Sequence, residues 1–373
     1  MTSTTATNRP AGHGPRAATR PRGRRRAAAA LAGAALVLAG CSLTGGGEPS
    51  GGGSGSSAGT LTVVTHDSFH LSQPLLDKFT EDTGYQLKFV APGDAGALVN
   101  QLILTKDSPL GDVVYGIDNS FAARAVDAGV LEPYTSDALP ASAKQYADGG
   151  SLTPVDMGDV CINVDHQWFT EHGVPEPANL EDLAKPAYKD LLVVTNPATS
   201  SPGLAFLLAT VGAYGPDGFE GYWQRLRDNG VKVVDGWSDA YYVDFSGSEG
   251  AGPRPLVLSY ASSPAAEVPA DGSAPRTGAL LDTCFRQVEY AGVIAGTAHA
   301  DGAEKFVDFL LSPEVQADIP GQMYMYPVDD TVHLPEAWAA HAPLADKPYT
   351  VDPKDVSAHR EEWIDAWTRV VIG

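Results

Sequence analysis

The sequence predicts an α/β protein with a largely parallel sheet, and three observations carry that prediction. Short β-branched runs recur along the chain, separated by helical patterns of roughly 10–15 residues. The segments after these runs are polar, aromatic and rich in Gly and Ser, as expected for a cleft at the carboxyl ends of parallel strands. Apolar residues make up 43% of the chain, with 6 Trp, 14 Tyr and 11 Phe, enough to bury a sizeable core.

The N-terminus reads as an address followed by a tether. Arg16, Arg20, Arg22, Arg24, Arg25 and Arg26 precede the apolar stretch Ala27 to Gly40. A charged segment before an apolar run too short to span a bilayer is a signal-peptide pattern, assigned to residues 1–40. It ends Leu38-Ala39-Gly40-Cys41, which looks like a bacterial lipobox, where the Cys41 thiol takes a diacylglycerol and becomes the new N-terminus. An ordinary secretory signal with a chance cysteine is the alternative. Residues 42–59 are almost all Gly and Ser, so 41–60 is expected to be a lipid-anchored flexible linker. The mature protein is therefore expected on the outer face of the cell membrane, held there only by its lipid.

The folded part begins with a strand at Leu61–Thr65 and a polar cluster, His66-Asp67-Ser68. Leu71, Leu75, Leu76 and Phe79 share one helical face, and Gly84 closes that helix. Gln86–Val90 is the next strand. Pro92-Gly93-Asp94 then turns the chain into a helix with Leu98, Leu102 and Ile103. Asp112–Tyr115 reads as a buried strand, ending at Gly116-Ile117-Asp118-Asn119 before a helix from Phe121 to Ala128. Further strands are placed at Cys161–Val164, Leu191–Thr195, Val231–Val234 and Leu256–Tyr260. Near the end, Val356, Trp363, Ile364, Trp367 and Val371 fall at helical spacing. Trp363 and Trp367 are read as core or docking residues rather than ligand contacts.

Charge and motifs narrow the function. The whole chain carries −21, and residues 41–373 hold 18 basic and 46 acidic groups, a net of −28. So acidic a surface argues against nucleic-acid binding and is compatible with attracting small cations. The sequence holds no GxxxxGKS/T phosphate loop, GxSxG elbow, HExxH or paired Cys/His metal set, so no catalytic residues and no cofactor are assigned. His66 and His70 have a metal-compatible spacing, but one follows a strand and the other sits in a turn. With Cys41 lipidated, Cys161 and Cys284 remain in an oxidising compartment and are expected to pair.

The segments TVVTHDSF, KFVAPGDAGALVNQLIL, GDVVYGIDNSFAARAVDAGVLEPY, NPATSSPGLAFLLATVGAYG, VDGWSDAY, LVLSYASSPA, FVDFLLSPEVQADIP and MYPV resemble the thiamine-binding protein family, in the same order. The likeness covers the whole mature domain; VDGWSDAY with LVLSYASSPA is its most specific part. It implies an extracytoplasmic solute-binding lipoprotein of an ABC importer, with a two-lobed type II periplasmic-binding fold. Each lobe is then a mostly parallel sheet flanked by helices. Lobe 1 is expected at 61–157 and 291–330, lobe 2 at 158–290, and a C-terminal segment with a docking helix at 331–373. The crossings between the lobes fall near 155–160 and 284–292.

By the same resemblance, Asp94 and Ala95 replace an Asp-Gly pair near the ligand. Ser200 and Ser201 match a Ser-Thr pair that meets the phosphate or hydroxyethyl end. Trp237 matches a Trp in the site, and Tyr260, Ala261, Ser262 and Ser263 match a Tyr-Thr-Thr-Ser run. Tyr324 stands where the family stacks a Trp on the ligand, His66 where it has a Tyr, and Ala265 where it has another Tyr. The implied ligand is thiamine, thiamine monophosphate or thiamine pyrophosphate, and the implied partners are a permease and its ATPase, with the receptor a monomer.

The residues agree on the chemistry. A thiazolium cation suits the aromatic faces of Trp237, Tyr260 and Tyr324, and Asp94 or Asp67 adds negative charge. Ser200-Ser201-Pro202-Gly203 opens an apolar helix whose free N–H groups can face an anion. Plain structural roles compete: Asp67 and Asp118 as helix caps, Ser200 and Ser201 as N-caps. Two other functions stay open. The adjacent pair Tyr241 and Tyr242 would suit a ferric ion, and Cys161 or Cys284 could serve an enzyme if either were a free thiol.

Overall fold

The computed structural model describes residues 58–147, 150–248 and 252–373; the expected signal peptide, Cys41 and the expected linker up to residue 57 lie outside the described residues. Ten strands form one sheet: β1 (Gly59–Thr65), β2 (Tyr85–Val90), β3 (Val113–Asp118), β4 (Leu131–Glu132), β5 (Thr153–Asp165), β6 (Leu192–Thr195), β7 (Lys232–Val234), β8 (Leu256–Tyr260), β9 (Thr277–Ile294) and β10 (Tyr326–Pro327). The path is β2-β1-β3-β9-β5-β8-β6-β7, with β10 on β5 and β4 on β9.

The two flanks are parallel, as the strand-helix alternation predicts: β1 pairs with β2 and β3, and β6 with β7 and β8. The middle is antiparallel. β9 runs against β3 at one end and against β5 along most of its length, and β5 runs against β8 at its far end. These two long strands therefore carry the sheet from one parallel flank to the other. The strand pattern in the sequence covers only Cys161–Val164 of β5 and none of β9. Val155, Ala291 and Val293 pack in one apolar cluster, whereas Ile162, Val164, Phe285 and Val288 pack in another, so each strand serves two cores.

Helices form where the local signals ask for them. Gln73–Thr83 has Pro in its first turn and ends at Gly84, whose φ of 77° only glycine adopts cheaply. Ala95–Leu104 is capped by Asp94, whose Oδ1 accepts from the Ala95 N–H at 2.7 Å. Ser201–Tyr214 is buried from Ser201 through Val211, so it is a central helix rather than an amphipathic one. At the C-terminus, Pro353–Val371 buries Trp363 and Trp367, and Trp367 meets Trp223 edge-on at 5.6 Å and 87°. Packing, not ligand contact, is what these two indoles do.

Cys161 on β5 and Cys284 on β9 are joined by a disulfide across adjacent strands. Both sulfurs are thereby committed, and neither is the free thiol that a cysteine nucleophile needs. Among the described residues, no helix is long and apolar enough to cross a membrane.

Candidate ligand-binding site

The carboxyl ends of the parallel strands from both flanks converge. β1 ends into His66 and Ser68, β2 into Asp94, β3 at Asp118, β6 before Ser200, β7 before Trp237, and β8 at Tyr260. This is where an open parallel sheet leaves strand-end loops free to hold a ligand. Between them lies a narrow cavity lined by His66, Ser68, Asp94, Pro202, Trp237, Tyr260, Glu289, Met323 and Met325.

Contacts across the cavity join the two flanks directly. Asp94 Oδ2 accepts from the Trp237 N–H at 3.2 Å, and the Ala97 N–H donates to the Thr199 carbonyl at 3.1 Å. Gly96 permits this approach, because a Cβ there would lie 2.7 Å from the Thr199 carbonyl carbon. Gly116, at φ 98°, does the same for the floor: a Cβ would lie 2.2 Å from His66 Cδ2.

The floor is a buried acid–base chain. The Ser68 N–H donates to His66 Nδ1 at 3.2 Å, so a neutral ring keeps its proton on Nε2. That nitrogen is buried without a hydrogen-bond partner and lies 3.5 Å from Glu289 Oε2. Burial opposes charge on His66, but the Glu289 carboxylate outweighs it and raises the imidazole above its ordinary value. Burial likewise pushes Glu289 up, yet His66 and donors from Tyr115 and Asp156 hold it below its usual range. Asp156 is driven well up by burial and by Glu289, so it keeps its proton. The Tyr115 hydroxyl sits between the two, hydrogen-bonded to Asp156 and donating to Glu289 Oε2 at 2.9 Å. Gln287 Nε2 donates to Glu289 Oε1 at 3.0 Å and to the Tyr260 hydroxyl at 3.2 Å.

One wall is aromatic. Trp237 is held by its Nε1–H, which donates to Ser259 Oγ at 2.9 Å, and Tyr241 stacks on its ring at 5.0 Å and 15°. Tyr260 meets it at 6.5 Å, and Tyr242 stands edge-on at 5.2 Å. The opposite wall is the start of helix Ser201–Tyr214. There the Ser201 hydroxyl donates to Asp118 Oδ2, while Ser200 Oγ donates to Thr195 Oγ1 at 2.8 Å. Asp118 also accepts from the Ser120 and Phe121 N–H groups at 2.7 and 3.0 Å, so it does cap a turn. Burial raises its carboxyl to about 6.

Of the residues singled out in the sequence, His66, Asp94, Trp237 and Tyr260 line the cavity, whereas Ser200, Ser201 and Asp118 are buried outside its lining. Others lie elsewhere. Asp67 is exposed and caps no helix, because the next helix begins at Gln73 after Ser72. Ala95 is buried in the first turn of its helix, and Ala261 packs on the disulfide with Ala345, its N–H donating to the Asp159 carbonyl at 2.8 Å. Ala265 packs on Trp338 and Ala342. The Ser262 hydroxyl donates to the Tyr324 carbonyl, and Ser263 Oγ bonds Ser259 Oγ at 2.9 Å. Tyr324 itself is a left-handed helix cap at φ 59°, packed against the Trp237 cluster. Glu289, Met323, Met325, Tyr115 and Asp156 escaped the sequence reading.

The arrangement is suited to a flat organic cation: two aromatic rings, two thioethers and the carboxylates of Asp94 and Glu289, the second already facing His66, with neither Lys nor Arg among the described lining residues. It is less suited to a metal held by tyrosines. The Tyr241 hydroxyl donates to Glu267 Oε1 at 2.9 Å, and burial pushes it away from the phenolate form. His70 turns to Gln322 at 2.7 Å rather than joining His66.

Comparison with known proteins follows the same line. A family model described as bacterial extracellular solute-binding protein matches residues 108–348. The thiamine-binding periplasmic protein of Escherichia coli (strain K12) is 32% identical over 321 residues, 83% of this chain and 93% of that protein. A solved periplasmic thiamin binding protein superposes with a TM-score of 0.72 at 30% identity, over 84% of this chain and 96% of that one. The ferric binding protein from Campylobacter jejuni superposes with a TM-score of 0.67 at 18% identity, which is a likeness of fold alone. With its two-lobed type II periplasmic-binding fold, the chain belongs to the bacterial extracellular solute-binding proteins, and among them to the thiamine-binding protein family.

Proposed function

We propose that this protein is the extracytoplasmic receptor of an ABC importer, which captures thiamine or a thiamine phosphate between its lobes and hands it to a membrane permease driven by an ATPase. The cavity carries the reading: the Trp237 and Tyr260 rings share one lining with the carboxylates of Asp94 and Glu289, in a chain whose relatives are named for thiamine binding. The thiazolium packs against the indole and phenol faces, each worth roughly 0.5–2 kcal/mol in a desolvated site. Asp94 or Glu289 supplies the counter-charge. The receptor itself does no chemistry.

The lobes are taken as 61–157 with 291–330 and as 158–290, flexing at crossings near 155–160 and 284–292. Cys41 is taken as the lipidated N-terminus, with the Gly/Ser linker holding the receptor off the membrane. Tryptophan fluorescence of the ligand-stripped protein tests the reading. Thiamine is expected to change the emission saturably, and Trp237→Ala to weaken binding by about tenfold or more. Unchanged affinity in that variant would remove Trp237 from the site. A visible charge-transfer band with ferric ion would instead favour Tyr241 and Tyr242 as ligands.

A further inference from the structure

We infer that this pocket takes its cation in exchange for a proton: thiamine enters and His66 gives up one proton, so capture strengthens as pH rises. The inference rests on the ligand reading above.

His66 is buried in the cavity lining, between two partners that ask for different protonation states. The Ser68 N–H donates to Nδ1 at 3.2 Å, which requires that nitrogen to be a bare acceptor and the ring to be neutral. On the other side, Nε2 has no hydrogen-bond partner and lies 3.5 Å from Glu289 Oε2, a carboxylate that favours the imidazolium. A charged ring carries a proton on Nδ1 and so forfeits the Ser68 bond.

Glu289 of β9 leads the charged groups around the ring. Asp94, after β2, and Asp67, next in the chain, add negative charge, while Tyr115 of β3 meets the ring at 5.4 Å as an uncharged neighbour. Asp156 of β5, beyond Tyr115, keeps its own proton. Burial opposes the imidazolium, but the carboxylates outweigh it, so the free pocket holds a proton on His66 more readily than water does.

The thiazolium of thiamine carries a fixed charge that no proton transfer removes. In a cavity lined by Asp94 and Glu289, it takes over the counter-charge that Glu289 gives the imidazolium and sets like charge beside the ring. The Nδ1 proton then leaves to solvent, the Ser68 N–H bonds Nδ1, and the ring remains as the neutral Nε2–H form. One cation enters and one proton leaves, so the buried site gains no uncompensated charge.

Calorimetric titration of the ligand-stripped protein with thiamine, in two buffers of different ionisation enthalpy, reads the proton directly. Release of about half a proton or more per thiamine is expected at pH 6.5, with affinity about fourfold or more higher at pH 8 than at pH 6. His66→Gln should bind thiamine without the release and with a flattened pH profile. If that variant does not fold, NMR titration of the His66 ring in the wild type decides, its midpoint falling by about one pH unit or more when thiamine binds. Binding without proton release, proton uptake, or the same release from His66→Gln would overturn the inference and leave the ligand reading standing. No binding of thiamine at any pH would overturn the ligand reading and this inference with it.

Discussion

Asp118 shows how one side chain serves fold and site together. It caps the turn before the helix Ala122–Asp127 and receives the Ser201 hydroxyl from the other side of the cleft. Burial is the largest influence on it and raises its carboxyl to about 6, so the folded protein binds a proton there more tightly than the unfolded chain. Its contribution is full below the ordinary carboxylate range near pH 4 and is lost as pH rises through about 6, at most about 3 kcal/mol. Asp118→Asn is therefore expected to raise the thermal midpoint at pH 8, with the gain shrinking at pH 5. A variant destabilised equally at both pH values would show that the hydrogen bonds, not the buried charge, dominate. His66, Asp94, Trp237 and Tyr260 were legible in the sequence because each ends a strand in a polar loop. Glu289 and Met325 were not: neither follows a strand that the pattern had revealed. Ala261 misled because a loop next to the cavity also has a side that faces away, here toward the disulfide.

At the scale of elements, the parallel flanks were readable and the antiparallel middle was not. β9 holds Asp282, Arg286, Gln287 and Glu289 within 18 residues, which breaks both the apolar run and the strict alternation that mark a strand. Those polar groups are tolerated because they are answered in three dimensions. Arg286 pairs with Asp159 at 2.5 Å, and Gln287 donates to Glu289 at 3.0 Å. The disulfide fastens this pair of strands, closing a loop with a sequence separation of 123. By the loop-entropy argument it restricts the unfolded chain by up to about 5 kcal/mol. Reduction under non-denaturing conditions should lower the urea midpoint clearly while the tryptophan emission stays native-like at low urea. No shift of the midpoint would mean that packing of β5 on β9 holds these strands without it.

On the scale of the whole molecule, both flanks of the sheet already touch across the cleft, through Asp94 with Trp237 and Gly96 beside Thr199. Such contacts are those a closed receptor makes, and the proposed hinge opening would break them together with part of the apolar cluster that Val64, Leu98 and Val114 share with Val194 and Leu204. The proposed N-terminal tether belongs to this scale as well: Cys41→Ala is expected to release the protein from the membrane fraction, and continued membrane association would contradict lipidation at that residue. The most direct measurement is calorimetric titration of the ligand-stripped protein with thiamine and its two phosphates. Binding near 1:1 is expected for at least thiamine. Absence of heat with all three, on protein shown to be folded, would contradict it.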